Sequence, residues 1–237
     1  MKLTAVGLPL GNIEDISIRA LKALFESDII LAEDTRNVYK IKSIVKERFA
    51  SILENFKIDI NKEQRVFSYR DQNHSSSFPE ILKFLIEEKS IILVSDAGMP
   101  TISDPGFKLI RDLHENGVEI DVIPSATAVD TALVISGLPT DSFIFIGFLP
   151  REKGKIKKQV SSALESIASS VIFYESPFRV LKTLELIALD FPDVKVAAVN
   201  DLTKKFQKVI RGDIVEVIGK LKKMKVIGEW VVVLSNK

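Results

Sequence analysis

The sequence contains no cysteine and only two histidines, His74 and His114, among its 237 residues. Disulfides, thiolate metal sites and cysteine nucleophiles are therefore excluded, and nothing points to an oxidising compartment. Two histidines also forbid an HExxH motif and a three-histidine site, so no metal centre is expected. Long apolar runs are missing too. The longest, around Phe143 to Pro150, is strand-sized, well short of the roughly 18 residues of a membrane-spanning helix. The opening Met1-Lys2-Leu3-Thr4-Ala5-Val6-Gly7 reaches glycine and then proline too soon for a signal peptide, and Glu14 and Asp15 follow. The expected location is the cytoplasm, with no membrane partner.

A large net charge is likewise absent: the total is +1. Its distribution is uneven. Residues 1–140 hold 16 Lys+Arg and 21 Asp+Glu, a charge of −5, whereas residues 141–237 hold 17 and 11, a charge of +6. An acidic half joined to a basic half suggests two units, the second suited either to a polyanion or simply to solvent. The chain is long enough for one large domain or two ordinary ones.

The first half alternates between two periods. Asp28–Ala32 and Ile91–Val94 predict buried strands, and Leu3–Val6, Arg65–Tyr69 and Val118–Ile123 predict further short strands. Between them, apolar residues fall at helical spacing: Ile16, Ala20, Leu21, Leu24 and Phe25, then Val38, Ile41, Ile44 and Val45. The same spacing recurs in Phe78, Ile81, Leu82, Leu85 and Ile86, and in Phe107, Leu109, Ile110 and Leu113. Continuous apolar strands alternating with amphipathic helices predict an α/β unit with a parallel sheet covered on both faces. Pro124-Ser125-Ala126-Thr127 opens a further helix that Gly137-Leu138-Pro139 ends. Because that helix can bridge two domains, the division into 1–124 and 125–237 carries a boundary anywhere from 124 to 141. In the second half the strands Phe143–Gly147, Val171–Tyr174, Lys195–Val199, Lys208–Arg211 and Trp230–Leu234 are more closely spaced. A mixed or antiparallel sheet is expected there.

The loops after the first-half strands carry the chemistry. The segment Ser95 to Gly106 follows a buried strand with two glycines, two prolines and two carboxylates. It reads as a ligand loop at the carboxyl end of a sheet, or as a tight structural turn. Gly7-Leu8-Pro9-Leu10-Gly11-Asn12 is neither GxGxxG nor a GK[ST] loop. It either offers backbone amides to a ligand or is a plain connection. Glu33-Asp34-Thr35-Arg36 supplies two carboxylates and a guanidinium, for a hydroxyl substrate or as a helix cap. Tyr69 to His74 adds a polar cluster at the same sheet edge, in which His74 reads as a surface residue. In the second half, Arg151-Glu152-Lys153-Gly154-Lys155-Ile156-Lys157-Lys158 reads as a mobile cationic loop, for phosphates or for water.

These segments, in order, resemble one family. Gly7 to Ser17 with Arg19-Ala20-Leu21 is similar to that family's TPIGNLxDIxxRAL, and Ala32-Glu33-Asp34-Thr35-Arg36 to its AEDTR. Ser95 to Gly106 resembles SDAGxPxxxDPG, and Gly137 to Pro150 resembles GLPxxxFxFxGFLP. Phe173-Tyr174-Glu175-Ser176-Pro177 with Arg179 resembles FYESPxR, and Leu202-Thr203-Lys204 resembles ELTK. The family is the ribosomal RNA small subunit methyltransferase I group of the tetrapyrrole-methylase-like, class III S-adenosylmethionine-dependent enzymes.

The resemblance implies two α/β domains with the cofactor cleft between them, a homodimer, and small-subunit ribosomal RNA or the 30S particle as partner. The reaction it implies is methyl transfer to a cytidine ribose 2′-hydroxyl. It places Pro9, Gly11, Asp96, Ala97, Gly98, Ile102, Ser125, Ala126, Thr127, Tyr174 and Glu175 at the cofactor. Lys204, then Glu33, are the expected catalytic groups, with Asp71 a further carboxylate to weigh. Asp34, Arg36, Asn73, Arg151, Lys153 and Lys155 are the expected substrate contacts. The chain departs from the family in places. Arg70 and Gln72 stand where the family has two loop histidines, and Phe178 stands for the histidine of ESPHR. These departures keep alternatives open: a methylase of this fold acting on a tetrapyrrole or a protein, or an RNA-binding relative with impaired catalysis.

Overall fold

A computed structural model describes residues 1–236, which divide into two units, the first ending at Ala126 and the second starting at Thr127. In the first unit five strands form one parallel sheet: β1 (Lys2–Val6), β2 (Ile29–Ala32), β3 (Arg65–Ser68), β4 (Ile91–Val94) and β5 (Glu119–Ile123). Their order is β3-β2-β4-β1-β5. Five helices connect them: α1 (Ile18–Glu26), α2 (Thr35–Arg48), α3 (Ala50–Asn55), α4 (His74–Ile86) and α5 (Phe107–Glu115).

The order dictates where the helices go. From β1 to β3 the chain moves one way across the sheet, and from β3 to β5 it moves back. Right-handed crossovers then require the two sets of helices to cover opposite faces. The core obeys this. Ile30, Ala32, Ile92 and Val94 pack with α1, α2 and α3, through Leu21, Leu24, Val38, Val45 and Leu53. Their strand neighbours Ile29, Leu31, Ile91 and Leu93 pack with α4 and α5, through Ile81, Leu85, Leu109 and Leu113. The period of two therefore serves both faces, which is why β2 and β4 read as continuous apolar runs.

Local signals set the helix starts. Ser17 caps α1 by accepting the Ala20 N–H, and Asp34 caps α2 by accepting the Arg36 N–H.

The second unit holds α6 (Ala128–Ser136), β6 (Phe143–Phe148), α7 (Lys153–Leu164), β7 (Ser170–Glu175), α8 (Val180–Ala188), β8 (Lys195–Asn200), β9 (Lys208–Asp213), α9 (Ile214–Lys222) and β10 (Trp230–Ser235). Its sheet is mixed, in the order β6-β7-β10-β8-β9: β6 and β7 are parallel and the other neighbours antiparallel. Helices α7, α8 and α9 bury Val160, Leu184 and Val217 against Phe173, Ala198 and Val232 on one face. Helix α6 packs on the sheet through Ala132 and Leu133. It starts on a Thr127 cap and stops at Gly137, which takes a left-handed φ of 64°.

Two expectations need correction. Residues 153–158 are not a cationic loop but the first turns of α7, because Ile156, Val160, Ala163 and Leu164 supply a buried helical stripe. His74 is not a surface residue. It is buried at the start of α4, bonded to the Tyr69 hydroxyl at 2.9 Å and to Asp112 on α5 at 2.7 Å. The structure adds the polar helix α7, with α3 and α9, to the elements that the apolar periodicity predicts.

Candidate active site

All five parallel strands of the first unit end at the same edge, and every first-half loop named above leaves from it. The chain leaves β1 toward β2 and leaves the adjacent β4 toward β5, so the connections diverge to opposite faces. Such a divergence opens a crevice outside the carboxyl ends of the strands, where ligands bind in open α/β sheets. Here the two loops are tied across that point. Leu8 N–H donates to the Gly98 carbonyl at 2.8 Å and Gly98 N–H returns a bond to Leu8 at 3.0 Å. Ser125 Oγ donates to the Leu8 carbonyl at 3.0 Å, adding the loop after β5. Gly7 has no room for a side chain: a Cβ would lie 2.5 Å from Met99 Sδ and from Ser125 Cβ.

The 95–106 segment is held in a strained path. Gly98 and Gly106 have φ of 71° and 128°, but Thr101 and Ser103 also lie at 73° and 67°, where side chains are disfavoured. Such conformations cost about 1–3 kcal/mol each and persist where the surroundings over-determine them, often at functional sites. Asp71 accepts the Gly106 N–H at 3.2 Å, so the loop after β3 braces this one. Asp96 and Ala97 are exposed beside the buried Gly98, and Ile102 is 43% exposed. Pro9 is half-buried and Gly11 exposed at the neighbouring strand end.

Electrostatics single out Asp104. Burial, and then the carboxylates of Glu33 and Asp96, push its pKa up to about 6 from an ordinary 3.8, against a stabilising bond from Ser95. Glu33, Asp96 and Asp104 thus form one acidic cluster at the ends of β2 and β4. Sequence reasoning assigned Asp104 no role. The available signal was a second carboxylate in a loop that directly follows a buried strand.

Other expected residues are engaged locally. Asp34 accepts from Arg36 Nη2 at 2.6 Å as well as capping α2, which keeps its pKa low, at about 2. Asn73 accepts the Arg70 N–H at 2.8 Å and donates to Ser68 at 3.0 Å, so its amide holds the turn after β3.

In the second unit, Tyr174 packs at a steep angle against Phe145 and Phe148, with ring centroids 4.8 and 5.4 Å away. The Glu175 carboxylate is buried and taken up internally: Ser176 N–H and Thr183 Oγ1 donate to it, and Arg179 pairs with it at 3.0 Å. It therefore fixes the turn that follows β7. Lys204 pairs with Glu229 at 2.8 Å and Asp201 at 3.3 Å. Burial alone would lower its pKa, but those two carboxylates outweigh it and the net shift is upward. The group is held as a cation. Thr127 bonds Asp130 at the start of α6, Ala126 is exposed at the end of the first unit, and Arg151, Lys153 and Lys155 are exposed at or beside the start of α7.

A cleft of about 650 Å³ lies elsewhere in the first unit, lined by Lys2, Arg19, Glu26 and Asp121. It is lined mainly from the opposite ends of the strands, by Lys2 and Ile91, and by the turn through Glu88 that precedes β4. Among the described residues no group of side chains has the makings of a metal site, and no helix is long and apolar enough to cross a membrane.

Comparison with known proteins places this geometry. Residues 2–218 match the family of tetrapyrrole (corrin/porphyrin) methylases. The chain is 41% identical over 236 residues to the ribosomal RNA small subunit methyltransferase I of Thermotoga maritima, covering 100% of this chain and 99% of that protein. It is 38% identical over 234 residues to the protein of that name in Bacillus subtilis, covering 99% of this chain and 75% of the relative. Among solved structures, a diphthine synthase superposes with a TM-score of 0.70 at 18% identity, over 100% of this chain and 91% of its own. A cobalt precorrin-4 methyltransferase superposes at 0.65 with 16% identity, over 99% and 94%. These two likenesses establish the fold alone.

Proposed function

The chain belongs to the tetrapyrrole methylase family and, within it, to the ribosomal RNA small subunit methyltransferase I group, and from that membership we infer an S-adenosylmethionine-dependent enzyme that methylates a cytidine ribose 2′-hydroxyl in small-subunit ribosomal RNA. The full-length identity to relatives bearing that name carries the reading. A cytoplasmic homodimer goes with it.

The residues present fit the cofactor. The Asp96 carboxylate suits ribose hydroxyls, the exposed backbone of Asp96 and Ala97 can meet polar groups, and an acidic surrounding suits a sulfonium cation. Pro9, Gly11, Gly98, Ile102, Ser125, Ala126, Thr127 and Tyr174 complete the proposed contacts, and Glu175 acts by fixing the turn beside Tyr174. When bound, S-adenosylmethionine supplies an activated methyl whose donor sulfur departs neutral, so no general acid is required.

The chain's own contribution is position and proton transfer. Holding a hydroxyl in line with the methyl is the larger part of the catalysis. The hydroxyl must lose its proton, and a group whose pKa lies near working pH accepts it best. Asp104 meets that requirement, with Glu33 beside it. Lys204, fixed as a cation, is suited to a phosphate or a developing negative charge and not to accepting a proton. Arg151, Lys153 and Lys155 supply phosphate contacts, and Arg36 and Asn73 lie at the edge where the acceptor arrives.

Incubation of the purified protein with labelled methyl donor and small ribosomal subunits, followed by mass mapping of the RNA, tests this. Label on a cytidine ribose is expected. Label on a base, on a ribosomal protein, or only on an added tetrapyrrole would overturn the acceptor assignment.

A further inference from the structure

The second unit carries exposed aromatic rings at one end of its sheet. Phe148, Phe178 and Phe206 are 60%, 88% and 71% exposed. Register brings them to the same edge. Glu175 on β7 lies opposite Trp230 on β10, Trp230 opposite Asn200 on β8, and Asn200 opposite Lys208 on β9. The turn holding Phe178 follows Glu175, and the connection holding Phe206 joins Asn200 to Lys208. β6 runs parallel to β7, with Phe148 opposite Tyr174, so Arg151 and the start of α7 emerge there as well. β7 and β8 are two strand spacings apart, about 10 Å, a gap that successive nucleotides of a splayed strand can bridge.

Both loops are built to hold their rings out. Arg179 donates to the Leu149 and Pro150 carbonyls at 2.9 and 2.7 Å, and its N–H closes the turn onto Ser176 at 3.0 Å. In the other loop Asp201 and Thr203 take φ of 47° and 61°. The Thr203 N–H donates to Gln207 Oε1 at 2.6 Å, and Gln207 N–H donates to Lys204 at 3.0 Å. Cations alternate with the rings: Lys205 Nζ sits 5.4 Å from the Phe206 centroid, and Arg151 and Lys153 are exposed nearby. The acidic groups at this end are largely paired, Glu229 and Asp201 with Lys204 and Glu152 with Lys155.

We propose that Phe178 and Phe206 are stacking platforms for unpaired bases of the RNA substrate, with Arg151, Lys153 and Lys205 meeting its phosphates. Exposed rings set among cations match single-stranded RNA, whose bases stack while its backbone is neutralised. A protein partner would instead call for a contiguous apolar patch. The proposal rests on the ribosomal RNA reading and adds to it the residues that grip the strand and the unpaired state of the target.

The test is titration of the full chain with a labelled, unstructured oligoribonucleotide of about 12 nucleotides, with its duplex in parallel. Phe178→Ala and Phe206→Ala should each weaken single-strand binding by about five- to hundredfold, the range of one lost base–aromatic stack. Phe→Trp variants should retain affinity and Phe→Leu variants should not. Cofactor affinity should stay the same throughout, and Leu189→Ala, an exposed apolar residue elsewhere, should change nothing. Unchanged RNA affinity in the Ala variants overturns the proposal, as does full rescue by Leu, which would show that apolar bulk and not ring stacking makes the contact. Methyl transfer by the unaltered protein to small ribosomal subunits is measured separately. If transfer occurs and the Phe variants keep its KM and their RNA affinity, only the stacking inference fails. If no transfer occurs, the acceptor reading fails, and the RNA titration still decides the role of the rings.

Discussion

Asp104 sits where burial and two neighbouring carboxylates all oppose its ionisation. A carboxyl whose folded pKa is about 6, against 3.8 unfolded, favours the folded state fully below the lower value and loses that contribution as pH rises through the upper one. Replacing it with Asn removes the charge that folding disfavours. Asp104→Asn should therefore stabilise the chain at pH 8 by about 1 kcal/mol, after discounting for the solvent that screens a half-buried group, and should be near neutral at pH 4. Urea unfolding at the two pH values measures the difference. The same variant should lose most of its methyl transfer, and its residual rate should lack the rise through pH 6 expected of the unaltered enzyme. A rate profile unchanged in shape would remove Asp104 as the proton acceptor. Gly98 makes a second residue-scale case. Its φ of 71° disfavours a Cβ, and one would also sit 3.0 Å from Leu10 Cδ2. Gly98→Ala should cost about 1–2 kcal/mol and weaken cofactor binding, because the Leu8–Gly98 bonds must shift. Calorimetric titration with S-adenosylmethionine reads the second effect.

At the scale of elements, the first turn of α7 runs against its own electrostatics. A helix N-terminus favours anions, yet the one carboxylate there, Glu152 at the N-cap, is paired with Lys155, and the first turn itself has no acidic residue and holds Lys153 and Lys155. An arrangement that local stability disfavours is expected where function needs it. Lys153→Glu should stabilise the chain by about 0.3–1 kcal/mol while weakening RNA affinity and flattening its dependence on salt. A variant gaining stability with no loss of RNA affinity would leave α7 outside the substrate contacts. The same helix shows what the sequence hid. Elements of the first unit were legible because Ile91–Val94 is wholly apolar and Leu21, Leu24 and Phe25 recur at helical spacing, so period and burial agree. In α7 the stripe of Ile156, Val160 and Leu164 is thin and diluted by lysine and serine, and charge density reads as loop. The site was legible in part for a related reason. Local capping by Asp34 follows from its position before a helix, whereas the burial of His74 depends on Asp112, 38 residues away, which no local pattern reveals.

For the whole molecule, the polarity of charge between residues 1–140 and 141–237 separates two binding events by their response to salt. The proposed cofactor contacts are mostly backbone groups and carboxylates of the first unit, and a small cation exchanging with them releases few ions. The proposed phosphate contacts are lysines and arginines of the second unit, and each phosphate neutralised on a single strand contributes about 0.7 to the slope of log affinity against log salt. Three such contacts imply a loss of roughly tenfold or more in RNA affinity between 50 and 200 mM salt. Over the same range the cofactor dissociation constant should hardly move. Steady-state assays with small ribosomal subunits should then show KM for the particle climbing with salt while KM for the methyl donor stays level. If both constants rose in parallel, salt would be acting on the fold or on a step common to the two ligands, and the basic second unit would lose its assignment as the RNA-gripping half.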